Sequence, residues 1–239
     1  MQVVILAGGL GTRLSEETKI TPKALIKIGS KPIIVHLINY YQYFGYNDFI
    51  ICLGYKGNLI NNFFKMEKNK NYFKNLNLKL VDTGQKSFTG ERIKRVKKHI
   101  KKDFFLTYCD GLSDINLKYT LKVFQKSKKI GLVSAVNPRS RFGVLNLSHN
   151  NNVLSFNEKS KNTATWINAG FFIFSKEIFK FIKGKNAIFE REPLFNLAKK
   201  KQLIAYKHKG FWQCMDTLKD KITLNKIWNN PNPPWKKND

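Results

Sequence analysis

The chain has 239 residues, 42% of them hydrophobic, which suits one α/β domain with a sizeable core and excludes wholesale disorder. Its apolar runs, such as 49–53 and 170–174, are far too short to cross a bilayer, and the apolar start at 2–7 is interrupted at once by Gly8, Gly9 and Gly11, so neither a spanning helix nor a secretory leader is read and a cytoplasmic location is expected. Forty-three Lys and Arg against 16 Asp and Glu give a net charge of +27, which raises the question of a nucleic-acid partner, while the three scattered cysteines and four scattered histidines give neither a disulfide framework nor zinc-ligand spacing.

The elements alternate in kind along the chain. Residues 2–6 read as a buried, β-branched strand running into a glycine-rich turn, and 31–44 as a helix with Ile34, Leu37, Ile38 and Tyr41 on one face and Gly45 past its end. A strand at 48–53, a short helix at 56–65, a strand at 76–81, a loop at 82–90 and a helix at 91–101 follow. Residues 104–108 read as a buried strand ending at Asp110-Gly111, then a helix at 116–126 and a strand at 130–135. Shorter strands are expected at 143–147, 153–157 and 170–174, helices at 175–182 and 191–201, an edge strand at 203–206, a last helix at 218–228 and a proline-punctuated tail at 231–239. Strands joined by helical crossovers predict a Rossmann-like, open and mainly parallel sheet with helices on both faces, becoming mixed in the second half.

The lysine runs at 97–98, 101–102 and 199–201 lie in otherwise amphipathic segments, with no arginine-rich arm and no aromatic RNA-binding signature. They are read as a lysine-rich surface rather than a nucleic-acid interface. Such a field would still steer phosphorylated small molecules toward the protein.

The chemistry concentrates after the first strand. Leu6-Ala7-Gly8-Gly9-Leu10-Gly11-Thr12-Arg13 puts three glycines in four positions, which lets the backbone turn its amides toward phosphate, and Arg13 adds a forked cation. A dinucleotide fingerprint is excluded because position 14 is leucine, and a P-loop because no Gly-Lys-Ser/Thr follows. Ten residues beyond Arg13 stands Lys23, and Pro22 stiffens the backbone just before it. Asp110 stands just beyond a buried strand, where open α/β sheets bind ligands.

The run Gly8-Gly9-Leu10-Gly11-Thr12-Arg13-Leu14 followed by Pro22-Lys23 resembles the signature of the sugar nucleotidyltransferase family. The resemblance covers nearly the whole chain. It is strongest to the family's cytidylyltransferase branch, through Gly54-Tyr55-Lys56-Gly57, Val81-Asp82-Thr83-Gly84, Thr89-Gly90-Glu91-Arg92 and Gly210-Phe211-Trp212-Gln213-Cys214-Met215-Asp216. It implies one nucleotidyltransferase domain over residues 1–230, with a nucleotide-binding half at about 1–130, a sugar-binding part at about 131–216 and a tail at 231–239. The implied reaction moves CMP from CTP to α-D-glucose 1-phosphate. The same chemistry with UTP, dTTP, GTP or another sugar 1-phosphate is the alternative, and a basic nucleic-acid-binding protein is the alternative from a different class.

The resemblance also implies roles residue by residue. Leu6 through Arg13 would wrap the nucleotide, with Ser87, Arg92 and Cys109 beside it. Arg13 and Lys23 would hold phosphates and carry catalysis, and Asp110 and Asp216 would hold Mg²⁺. Gly143, Glu158, Lys159 and Asn168 would meet the sugar, with Arg141 and Phe142 nearby and Trp166 and Trp212 either lining that pocket or packing in the core. A homo-oligomer is expected, with neither a nucleic-acid nor a membrane partner. Two features depart from the family pattern: Ser160 follows Glu158-Lys159 where proline is usual, and the segment between Phe64 and Leu78 is shorter than in the cytidylyltransferases.

Overall fold

The computed structural model describes residues 1–66, 73, 75–138, 144–157 and 165–237. In chain order the elements are β1 (Gln2–Leu6), α1 (Ser15–Thr18), β2 (Lys27–Ile28), β3 (Lys31–Pro32), α2 (Ile33–Tyr43), β4 (Asp48–Leu53), α3 (Gly57–Lys65), β5 (Asn77–Asp82), α4 (Thr89–Arg95), β6 (Phe104–Tyr108), β7 (Gly111–Ser113), α5 (Leu117–Ser127), β8 (Gly131–Val136), β9 (Val144–Leu147), β10 (Val153–Asn157), β11 (Ile167–Phe174), α6 (Glu192–Lys199), β12 (Leu203–His208), β13 (Trp212–Cys214) and α7 (Leu218–Trp228).

A seven-stranded sheet, ordered β12-β8-β11-β6-β1-β4-β5, forms the centre. Only β11 runs against its neighbours; β6, β1, β4 and β5 are mutually parallel and β12 is parallel to β8. The mixed, mainly parallel sheet is the one the alternation predicted. β1 lies between β4 and β6, so the chain leaves it to opposite sides, and this switch opens the crevice beyond its carboxyl end.

Every residue of β1 is buried because both faces of the sheet are covered. Val3 and Ile5 pack with Ile34, Leu37, Ile38 and Tyr41 of α2, while Val4 and Leu6 pack with Ile93, Ile178 and Phe189 on the other face. α2 begins two residues later than predicted: Pro32 has no N–H, so it serves as the N-cap and Lys31–Pro32 pairs with Lys27–Ile28 instead. The helix predicted at 91–101 ends at Arg95 and yields to a 3₁₀ turn at Lys97–His99; the one predicted at 175–182 is 3₁₀ at Lys176–Lys180. The edge strand is two residues longer than predicted.

The tail is the clearest correction. Trp235 is 2% exposed, stacked between Phe211 and Trp228, and its Nε1–H donates to His36 Nδ1 at 3.3 Å. His36 Nε2 lies 2.9 Å from the carbonyl of Ile28 and donates to it, so the imidazole is neutral with both nitrogens used. Burial pushes its pKa down to about 4. The linkage follows: the unfolded chain binds a proton near pH 6.5 that the native chain refuses, so this stability is complete above pH 6.5 and is lost as the pH falls toward 4. Between pH 7 and 5 the loss from His36 is expected to be about 2 kcal/mol. Urea unfolding of the wild type and His36→Gln at both pH values measures it. Identical pH slopes would show that His36 carries no such linkage.

Candidate active site

The glycine loop continues β1 into the crevice. The amide of Ala7 donates to Cys52 at 3.0 Å, and that of Tyr55 to Gly8 at 3.1 Å, so the loop is tied to the end of β4. Beyond these ties the loop is open: Gly9, Leu10, Thr12 and Arg13 are exposed. Among the described residues no protein acceptor meets the amides of Gly9, Leu10 or Gly11. A short 3₁₀ turn at Thr12–Leu14 and α1 follow, closed by Leu14 N and Thr18 Oγ1 on the Gly11 carbonyl. The result is a row of free N–H donors at a strand's carboxyl end, a geometry suited to phosphate.

Lys23, Asp110 and Asp216 converge beside this loop. Lys23 Nζ lies 2.7 Å from Asp110 Oδ2 and 2.7 Å from Asp216 Oδ1, and Arg13 reaches Asp216 Oδ2 at 2.5 Å. Burial alone would lower the pKa of Lys23, but the two carboxylates outweigh it and hold the ammonium above its ordinary range. The Arg13 side chain is 75% exposed, whereas that of Asp216 is 12% exposed.

The two aspartates, 106 residues apart, meet because β13 pairs antiparallel with β7, setting Cys214 opposite Gly111. The Met215 amide then donates to the Asp110 carbonyl at 2.8 Å. A capping box between Thr217 and Asp220 opens α7, and Asp220 Oδ2 also accepts the Asp216 amide at 3.1 Å. The backbone under Asp216 is thereby held by a helix start.

Arg92, expected beside the nucleotide, is held by protein groups. It is 4% exposed, and its guanidinium faces protein. Nη1 donates to the carbonyls of Leu53 (3.0 Å) and Gly84 (2.8 Å) and to Thr83 Oγ1 (2.9 Å); Nη2 donates to the carbonyls of Gly8 (2.8 Å) and Gln85 (3.3 Å). It braces the glycine loop, the end of β4 and the loop after β5 together. Gly8 and Gly54 leave it room, since a Cβ on either would stand 2.3 or 2.2 Å from Nη1. A segment rich in Lys and Arg reads as surface, so no sequence signal marked this inward turn.

The remaining expected residues divide. Ser87 is half-buried, with its Oγ against Gly84 in the loop that Arg92 holds. Cys109 is buried, and burial pushes its thiol up to about 12, so it packs rather than ionises. Asn168 is exposed on β11 with Oδ1 accepting the Gly170 amide at 2.8 Å. Trp166 lies under the ammonium of Lys207, 5.3 Å from the ring centre. Gly143, Glu158 and Lys159, like Arg141, Phe142 and Ser160, lie outside the described residues. A cavity of about 580 Å³ opens on the α3 side of the glycine loop, lined by Gly54, Lys56, Asn58, Asn61, Asp82 and Gln85.

A doubly covered α/β sheet with a phosphate-ready loop and a paired-carboxylate cluster at its switch point defines a nucleotide-handling enzyme class. The chain belongs to the nucleotidyl transferase family, whose model matches residues 2–226. It is 41% identical over 255 aligned residues to the glucose-1-phosphate cytidylyltransferase of Salmonella typhi, covering 99% of each chain. It is 32% identical over 179 residues to the D-glycero-alpha-D-manno-heptose 1-phosphate guanylyltransferase of Campylobacter jejuni, covering 75% of this chain and 78% of that one. A crystal structure of UDP-glucose pyrophosphorylase with UDP-glucose shares the fold at a TM-score of 0.73, with 20% identity over 95% of this chain and 97% of that one. No helix among the described residues is long and apolar enough to cross a membrane.

Proposed function

We propose that this chain transfers CMP from CTP to α-D-glucose 1-phosphate, forming CDP-glucose and pyrophosphate. The carrying observation is the convergence of Lys23 on Asp110 and Asp216 beside the free amides of Gly9 to Gly11. The choice of base and sugar is supported by the full-length similarity to the Salmonella typhi cytidylyltransferase.

The sugar phosphate already carries a nucleophilic oxygen, so no general base is required, and catalysis rests on positioning and charge. An oxygen of that phosphate attacks the α-phosphorus of CTP while the bond to the β-phosphate breaks. The loop amides and Arg13 would hold the leaving β- and γ-phosphates, and Lys23 would sit against the transferring phosphate. Two carboxylates that reach a single Nζ within 2.7 Å can also reach one cation. Their hard oxygens fit Mg²⁺, whose shell is commonly completed by water and substrate phosphate. Bound there, the metal would offset charge on the phosphates, and Asp110 and Asp216 would hold it. Glu158, Lys159, Gly143 and Asn168 are proposed for the sugar, and a homo-oligomer for the assembly.

The test is kcat/KM for CTP, UTP, dTTP, GTP and ATP with glucose 1-phosphate, read by pyrophosphate release. CTP is expected to be used best. UTP or dTTP used at least as well would overturn the assignment of the base. Salt-sensitive retention of random DNA with no turnover of any triphosphate would support the polyanion-binding alternative instead.

A further inference from the structure

β11 does not run evenly through the sheet. Asn168 pairs with Ala135 and Phe172 with Val133, so β11 advances four residues while β8 advances two. The extra residues bulge out at 169–171, and bulges beside a site re-aim the groups that flank them. A carbonyl in a bulge loses its ladder partner and needs another donor. Here Trp212 Nε1–H supplies it, reaching the Ala169 carbonyl at 2.8 Å across 43 residues. Gly170 sits at φ +79° with the Tyr108 ring beneath it; a Cβ there would stand 2.6 Å from Tyr108 Cδ2. The Tyr108 hydroxyl in turn donates to Glu190, whose other oxygen accepts Thr89 Oγ1–H at 2.6 Å at the start of α4. The bulge also touches the carboxylate segment, since the Ala169 carbonyl and Trp212 Nε1 each lie 3.6 Å from where a Cβ of Gly111 would be, one residue past Asp110.

We propose that Trp212, Tyr108 and Glu190 are positioning residues for the acceptor: they hold the β11 bulge in the shape that presents Asn168 and its backbone to the sugar phosphate, next to Asp110. This rests on the sugar-phosphate reading of the site. None of the three needs to touch substrate. Trp212 fixes the bulge from the β13 side and Glu190 fixes it through Tyr108 from the α4 side, so the acceptor half of the site is set separately from the glycine loop that takes the nucleotide.

Steady-state kinetics on the full chain separate the two halves. Trp212→Phe keeps an aromatic ring and deletes the N–H; it is expected to raise KM for glucose 1-phosphate about tenfold while KM for CTP stays within about twofold. Glu190→Ala should do the same, and Glu190→Gln, which keeps an acceptor for Tyr108, should restore most of the wild-type value. Amide hydrogen exchange gives a readout independent of turnover: residues 168–171 should exchange faster in Trp212→Phe, and residues 7–14 should not. Equal rises in both KM values, or unchanged exchange at 168–171, would overturn the inference. A wild-type chain that turns over no sugar phosphate would instead remove the acceptor reading beneath it, a failure visible before any variant is made.

Discussion

Asp216→Asn and Asp110→Asn are each expected to fold normally and to lose a hundredfold or more in kcat, the order of effect seen when one preorganised charge at a reacting phosphate is removed. The geometry explains why the fold should survive. Asparagine is isosteric and its Oδ1 can still accept from Lys23, while the backbone at 215–217 is held independently by the Asp110 carbonyl and by Asp220. What is lost is negative charge at the point where both carboxylates converge. Each variant should need more Mg²⁺ for half-maximal rate, and the double variant should be little slower than the slower single, because residues acting as a unit are not additive. A simple ion-pair role predicts a different outcome: breaking a largely buried pair would lower folding stability and leave the chemical step and its metal dependence little changed. Activity titrated against Mg²⁺ for the four proteins decides between them. A near-normal rate and metal dependence in either single variant would take that aspartate out of the site.

Arg92→Leu is expected to cost roughly 3–5 kcal/mol of folding stability, because removing the guanidinium takes a charged donor from several acceptors at once, and a hydrogen bond to a charged group contributes about 1.5–3 kcal/mol. Those acceptors are the carbonyls of Gly8, Leu53 and Gly84 and the hydroxyl of Thr83. Arg92 also lies buried without a carboxylate partner among its hydrogen bonds, and burial lowers its pKa from the usual arginine value. Arg92→Lys should fall between wild type and Arg92→Leu, since an ammonium has fewer donors and no planar fork. Urea denaturation midpoints measure the loss. A residue that served only to contact the nucleotide would behave otherwise: Arg92→Leu would unfold at the wild-type midpoint and show only a raised KM for CTP. That outcome would reject the brace.

Much of the scaffold was legible because it is local. The buried strand at 2–6, the amphipathic helix at 116–126 and the strand at 48–53 follow from periodicity and flanking turn residues, and their alternation dictates a mainly parallel sheet covered on both faces. Asn116 could even be read as a helix start, and it caps α5 by accepting the Tyr119 amide at 2.9 Å. The glycine loop and Asp110 were legible for a related reason, since each sits just past a strand whose end the sequence marks; Lys23 was marked by Pro22 before it.

Everything that depended on contacts between distant residues was decided by the tertiary structure. Asp216 meets Asp110 only through the pairing of β7 with β13, strands of three residues that carry no periodicity to detect. Arg92 sits in a lysine- and arginine-rich helix that reads as solvated, yet it turns inward because carbonyls from three separate segments converge on its guanidinium. Trp235 follows three prolines in what reads as a loose tail, but its ring fills a gap between Phe211 and Trp228 that exists only once β13 and α7 have packed. Local pattern determined which elements form and where phosphate could be held. Burial, and the need to satisfy each buried polar group across the fold, determined which charged and aromatic side chains build the site and which only hold it in place.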